Sequence, residues 1–513
     1  MRGRVGSYGW LAVGVLFLSV ANLVASGGDL RLVDAIEKKQ DRNVVDSLLE
    51  QDIDVNAPQI DGTTALHWAV HRNDLKMTKL LIDAGASVNV SNDYGVTPLS
   101  LACTNGSSDM VRGLLQAGAD PNATRKTGES VIMTVSRTGN LEAVKTLLAY
   151  EPDLNQPETR RGHTALMLAI EQGHSQVAKL LIERGADVNA RSNQNFTPLL
   201  FAAQRNDFDS VQALLAAGAK LDGLTPKWGS ALVVAAARGH EDLALFLLEN
   251  GADPNAADSN QIAPLHYAML PGLAYMGGVP VHINASAYVF RPMMKKLIRE
   301  LLAKGANPNA QLAYLDYIPG MPAITPKLTM AGATPLMLAA AAGDPNLART
   351  LLEAGADPLL TNEEKSTALM VAAGLAFKRD RPTEKEYEGA LEVAKMLVER
   401  GADVNAVGEN SWTALHGAAY NGADDIVRWL VENGAELDPL DDFSQTPWSI
   451  AEGLIGATLI NFEVKAHGPH PKTAKLLLEL GADRTVVPGV KRSDYEGILE
   501  GESIRTVPAD VNP

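Results

Sequence analysis

The stretch Thr164–Ala190, TALMLAIEQGHSQVAKLLIERGADVNA, decides the fold. Thr164 precedes Ala165, Leu166, Leu168 and Ala169, a short helix rich in small apolar residues that another helix can approach closely. A threonine hydroxyl caps the free amides of a first turn, and sister copies put proline next, where its missing N–H is no loss (Thr97-Pro98, Thr197-Pro198, Thr334-Pro335, Thr446-Pro447). Gly173-His174 ends the helix, and Val177, Leu180 and Leu181 then mark one face of a second. Gly185 stops that helix where a left-handed cap is wanted, and Ala186–Ala190 leads out into an extended turn.

One such unit has too little apolar surface to fold alone, whereas stacked copies bury a continuous core. Copies start at Thr64, Thr97, Ser130, Thr164, Thr197, Ser230, Ala263, Thr334, Thr367, Thr413 and Thr446, so the spacing is 33 or 34 residues except where it lengthens to 71 and 46. Three starts read Thr64-Ala65-Leu66-His67, Ala263-Pro264-Leu265-His266 and Thr413-Ala414-Leu415-His416, and the exits repeat Gly-Ala-Asp at Gly118, Gly251, Gly355, Gly401 and Gly481. A period near 33 carrying these motifs resembles the ankyrin-repeat family, over about Asp29 to Asp483. The resemblance implies an all-α ankyrin-repeat solenoid of about twelve copies, counting a degenerate first one at Asp29–Ala57. It further implies protein–protein binding through a concave face and finger loops, without catalysis.

The flanks read differently. Met1–Ser26 has Arg2 and Arg4, then fifteen uncharged residues Leu11–Ala25, then small residues. That is the pattern of a secretory signal peptide, shorter than the roughly 20 residues a membrane span needs. It predicts an exported, periplasmic or secreted chain; no cysteine follows the apolar run, so no lipid is expected there. The alternative is a structural, envelope-tethered element held by an uncleaved amino-terminal helix and contacting wall polymer or membrane. Insertions fall near 271–292, 311–332, 377–389 and 454–471, and residues 484–513 read as a short cap and loose tail. The first two insertions carry Tyr275, Tyr288, Phe290, Tyr314 and Tyr317, a second candidate surface, since aromatics on loops often anchor interfaces.

Enzyme chemistry finds no foothold. GxSxG, Walker A and HExxH are absent, and a single cysteine, Cys103, rules out zinc ribbons and intrachain disulfides and occupies a small core position. His67, His266 and His416 sit at the motif's fixed position, where the family's histidine bonds neighbouring backbone, and His174 and His240 also hold family positions. His467 and His470 lack the paired cysteine or carboxylate of a metal site. No metal, cofactor or small-molecule substrate is expected.

A net charge of −16 argues against a general nucleic-acid binder. Against that background, finger positions Arg125, Lys126, Arg160, Arg161, Arg191 and Lys227 and inner-helix ends Arg72, Arg137, Arg205 and Arg238 collect cations, diluted by Asp61, Asp93 and Glu158. Later fingers carry Glu363, Glu364, Glu409, Asp441 and Asp442. These ten basic residues are the expected partner-binding set of a monomer, and an acidic protein segment is the expected partner.

Overall fold

A computed structural model describes residues 29–51, 53–222, 225, 229–259, 261–269, 293–312, 331–374, 384–442, 444–453 and 469–485. The amino-terminal segment 1–26, Lys227, the five insertion aromatics, His467 and the tail from residue 486 lie outside the described residues. The chain divides into two units, Met1–Thr159 and Arg160–Pro513.

In the first unit four helix pairs stack: Arg31–Glu37 with Arg42–Leu49, Ala65–His71 with Leu75–Asp83, Pro98–Asn105 with Ser108–Gln116, and Val131–Thr138 with Leu141–Leu148. First helices contact first helices, and second contact second, so the alternating faces close into one core through Leu66, Leu99, Met110, Leu114, Ile132 and Leu147. The copy at Ser130, which lacks the usual proline and leucine, packs like its neighbours, with Val131, Ile132, Met133 and Val135 buried. In the degenerate first copy Leu32, rather than Leu30, joins Val33, Ala35 and Ile36 inside. Leu30 caps that helix instead.

The second unit holds eight pairs, from Ala165–Glu171 with Ser175–Glu183 to Pro447–Ala451 with Pro471–Glu479. Their short first helices lie almost wholly buried, as in Ala231–Arg238, where seven successive residues, Ala231 to Ala237, are inside. The described chain is therefore helical throughout, with isolated bridges only at Thr124–Ser130, Thr225–Gly229 and Thr361–Thr367. Of the charged stretch 377–389, residues 384–389 are described and are helical. The helix begins at Glu384 and runs to Glu399, and Ala390, Val393, Ala394 and Leu397 form the apolar face of its later part. Tyr387 uses it to donate its hydroxyl to the Asn421 carbonyl at 3.0 Å.

Three local devices repeat in both units. Threonine or serine precedes each first helix except those after Leu30 and Ala263, as where Thr197 Oγ1 accepts the Leu200 N–H at 3.3 Å. Gly185 ends a second helix at φ 90°, which frees Ala186 N–H to bond the Leu181 carbonyl at 3.0 Å. Five fingers are hairpins held by one side chain that accepts an amide four residues on: Asn92 from Val96, Ser192 from Phe196, Asp258 from Ile262, Asn362 from Ser366 and Asp441 from Gln445. Fingers then touch backbone to backbone, Asp93 N–H to Asp61 carbonyl at 2.8 Å and Asn193 N–H to Arg161 carbonyl at 2.8 Å.

A fourth device joins copies. The asparagine ending the exit motif turns its carboxamide onto the Gly-Ala turn of the next copy, donating to the glycine carbonyl and accepting the N–H two residues later. Asn309 does so with Gly355 at 3.1 Å and Asp357 at 2.8 Å. Asn56, Asn89, Asn189, Asn255 and Asn405 make the same two bonds.

Candidate functional site

In the first unit the inner-helix ends and finger bases form one face. Arg72 is committed within it: its guanidinium donates to the Ile36 and Glu37 carbonyls, closing the end of the preceding first helix, and lies 5.6 Å from the Trp68 ring centre. Trp68 Nε1 in turn donates to Gln59 Oε1 at 3.0 Å. Asn105, at the same register one copy later, caps the Val70 carbonyl at 2.8 Å, so this position links copies first. Arg125 and Arg137 share Glu129, at 3.5 and 2.7 Å, and Arg125 also donates to Thr104 Oγ1 at 3.1 Å. Two guanidinium groups on one half-buried carboxylate leave a net positive cluster beside exposed Lys126. The same finger row exposes Ile60 and Tyr94.

In the second unit Arg160, Arg161 and Arg191 are exposed at the fingers and Arg205 at a helix end. Glu171 sits among them. The His163 side chain bonded to it holds its carboxyl below the usual carboxylate range despite partial burial, and the charges of Arg161 and Arg205 add to that. His163 itself is buried edge-on against Phe201, with ring centres 5.2 Å apart, a contact that reading the sequence missed because His163 precedes the repeat motif. Arg125 Nε is buried without a hydrogen-bond partner among the described residues, but its guanidinium has Glu129; Arg238 has no ion pair among the described residues. It ends Ala231–Arg238 half-buried, its Nε is buried with no hydrogen-bond partner, and loss of water pulls its pKa down from the ordinary arginine value.

The acidic fingers are less uniform than their composition suggests. Glu363, Glu409 and Asp442 are exposed, but Glu364 and Asp441 are buried at 9% and 5% exposure. Asp441 is the hairpin residue of its finger and accepts from Trp412 Nε1 at 3.0 Å and from Gln445 Nε2 at 2.9 Å.

The three motif histidines bridge backbone groups. His67 Nδ1 accepts the Thr64 N–H at 3.1 Å, which leaves Nε2 to donate to the Val96 carbonyl of the next finger at 2.9 Å. His266 and His416 repeat the arrangement toward Ala310 and Gln445. Burial lowers the His266 pKa to about 4 and pushes the Cys103 thiol up to about 12, so neither presents a ready nucleophile or ligand. Among the described residues no cluster of three or more histidine, cysteine, aspartate or glutamate side chains could hold a metal ion. No helix among them is long and apolar enough to cross a membrane.

No curated protein matches the chain. Family models do. A model of ankyrin repeats in three copies matches residues 32–125, 118–192, 199–273 and 386–487, and a single ankyrin-repeat model matches 331–363. The matched segments cover most of the stacked copies, and the histidine bridge, glycine cap and finger hairpin have just been seen at atomic distances within them. The chain belongs to the ankyrin-repeat family, whose repeats generally mediate protein–protein interaction and typically do so without catalysis.

Proposed function

We propose that the chain is an exported, non-catalytic scaffold that grips an acidic protein segment, chiefly through the inner face of its second unit. The observation that carries the reading is Arg238. A guanidinium stripped of much of its water, with its Nε unanswered and no carboxylate paired to it among the described residues, is costly to hold. A partner carboxylate would complete it, and bidentate pairing is what arginine does best. Arg205, exposed at the same register one copy earlier, and Arg161, Arg160 and Arg191 at the fingers would steer the approach of such a segment. The positive cluster of Arg125, Arg137 and Lys126 is a corresponding surface of the first unit.

The test is binding of a fluorescent glutamate-rich peptide to the chain at low and high salt, against a lysine-rich control. Wild type should bind the acidic peptide in a salt-sensitive way. Arg238→Gln should weaken it by about tenfold or more, the scale of one desolvated charged hydrogen bond. Arg160→Glu with Arg161→Glu should weaken it chiefly through slower association. Unchanged affinity of both variants at low salt would overturn the reading. Export rests on the amino-terminal pattern of Arg2, Arg4 and Leu11–Ala25, and sequencing the mature chain checks it: a start near Gly27 supports it, and an intact Met1 in the membrane fraction favours the tethered alternative.

A further inference from the structure

One copy breaks the carboxamide bridge. In the exit motif Asp357-Pro358-Leu359 the asparagine position holds leucine, the apolar residue in a column that otherwise reads Asn56, Asn89, Asn122, Asn155, Asn189, Asp222, Asn255, Asn309, Asn405 and Asp438. Register is not in doubt. Leu359 N–H bonds Asp357 Oδ1 at 2.8 Å, just as Asn405 N–H bonds Asp403 Oδ1 at 2.9 Å. The next copy's turn, Gly401-Ala402-Asp403, therefore offers a carbonyl at Gly401 and an N–H at Asp403 with no side chain from Leu359 to join them. The leucine turns out to solvent at 58% exposure, and Val407 beside it is 56% exposed. Beside them opens a cleft of about 410 Å³ lined by Pro358, Leu359, Thr361, Ala402, Asp403 and Val407, with Lys365, Thr367 and Ala406 completing its wall.

We infer that this cleft is a docking site for a partner segment that presents an asparagine or glutamine side chain next to an apolar residue. The protein itself shows what group fits. At six junctions a primary carboxamide spans this same carbonyl and N–H, at 2.7 to 3.2 Å. A carboxylate would accept the Asp403 N–H but has nothing to donate to the Gly401 carbonyl; Asp403 and Lys365 both line the cleft, so their opposite charges leave the donor, rather than net charge, to discriminate. An aliphatic side chain would fill space and leave both polar groups unanswered. Leu359 and Val407 supply the apolar margin on which the segment's neighbouring residue rests. The surface is separate from the arginine face and does not depend on it.

The experiment uses the full chain and three capped tripeptides, Ac-Leu-Gln-Val-NH2 and its Glu and Met counterparts at the central position. The readouts are the Asp403 amide resonance and a titration curve. The glutamine peptide should move that resonance saturably, with the other two at least about tenfold weaker, the worth of one hydrogen bond to a neutral group. Leu359→Asn should close the bridge from within: it should raise the melting temperature and abolish the glutamine response together. Leu359→Ser leaves the turn open and removes only the apolar margin, so it should weaken binding while keeping the preference for glutamine. Equal binding of all three peptides, no shift at Asp403, or an undiminished response in a folded Leu359→Asn variant would each overturn the inference.

Discussion

His266 shows how far a single side chain's surroundings set its behaviour. It is fully enclosed, donates to the Ala310 carbonyl at 3.0 Å and accepts the Ala263 N–H at 3.2 Å, a pair of bonds that only the neutral ring can make. Burial lowers its pKa from the ordinary histidine value of about 6.5 to about 4. The unfolded chain takes up a proton as the pH falls through its ordinary value, while the folded chain does not until about 4. Stability from this site is therefore intact above pH 6.5 and declines from there toward pH 4. At pH 5 the loss is about 2 kcal/mol by linkage. Urea unfolding at pH 7 and pH 5 should show that difference. His266→Met, which copies the residue found at Met133 and Met167, should lower stability at pH 7 but remove this acid-dependent share. Acid sensitivity unchanged in the variant would assign it elsewhere. Arg72 and Arg238 make the complementary point. They stand at one register of their copies, yet one is spent on the Ile36 and Glu37 carbonyls and the other has an unanswered Nε.

At the level of elements, what could be read beforehand and what could not divide cleanly. Helix starts, stops and pairing were legible, because threonine caps, left-handed glycines and apolar spacing are local signals, and each start from Thr64 to Thr446 matches the beginning of a helix. The helix running back to Glu384 was not, since charged residues such as Glu386 and Lys385 suit a loop or a solvated helix face equally, and only Tyr387 reaching Asn421 distinguishes them. The candidate site was legible in composition but not in pairing. No pattern of residues announces that Glu129 holds both Arg125 and Arg137, or that Asp441 is buried under Trp412. The exit asparagines carry no local sign of their role, because the Gly carbonyl and N–H they join lie one copy away, 29 to 52 residues along the chain. Asn309→Ala removes both bonds at one junction and leaves the Asp357 N–H without its side-chain partner. It should lower stability by about 1–3 kcal/mol, read as a fall in the urea midpoint at unchanged slope. Asp438 is the natural contrast. It accepts the Asp483 N–H with both oxygens, at 3.0 and 3.1 Å, but cannot donate, and burial together with the Asp483 charge raises its pKa. Asp438→Asn should therefore stabilise the last junction, most at neutral and alkaline pH, where the carboxylate is charged.

Across the whole molecule, each unit is a column of copies in which a copy touches only its neighbours. Stability in such a column is close to a sum of copy and junction contributions rather than one shared core. Damage should stay local. In Asn309→Ala, hydrogen exchange should quicken in the copies on either side of that junction, beginning at Pro264 and Pro335, and leave Ala165–Glu171 and Pro447–Ala451 near their wild-type rates. Uniform quickening through the second unit would mean that it unfolds as one block.

The same junctions carry a consequence for how such a chain changes over generations. Asn189 reaches Gly218 across 29 residues, while Asn255 reaches Gly305 across 50, and the bonds are alike at 3.2 and 2.9 Å. The lattice is indifferent to how much chain lies between its contact points. Extra sequence added between the two helices of a copy is thus exempt from the selection that holds the stack together. It is free to drift, to be duplicated or to be replaced by a foreign segment while the frame carrying it stays in register.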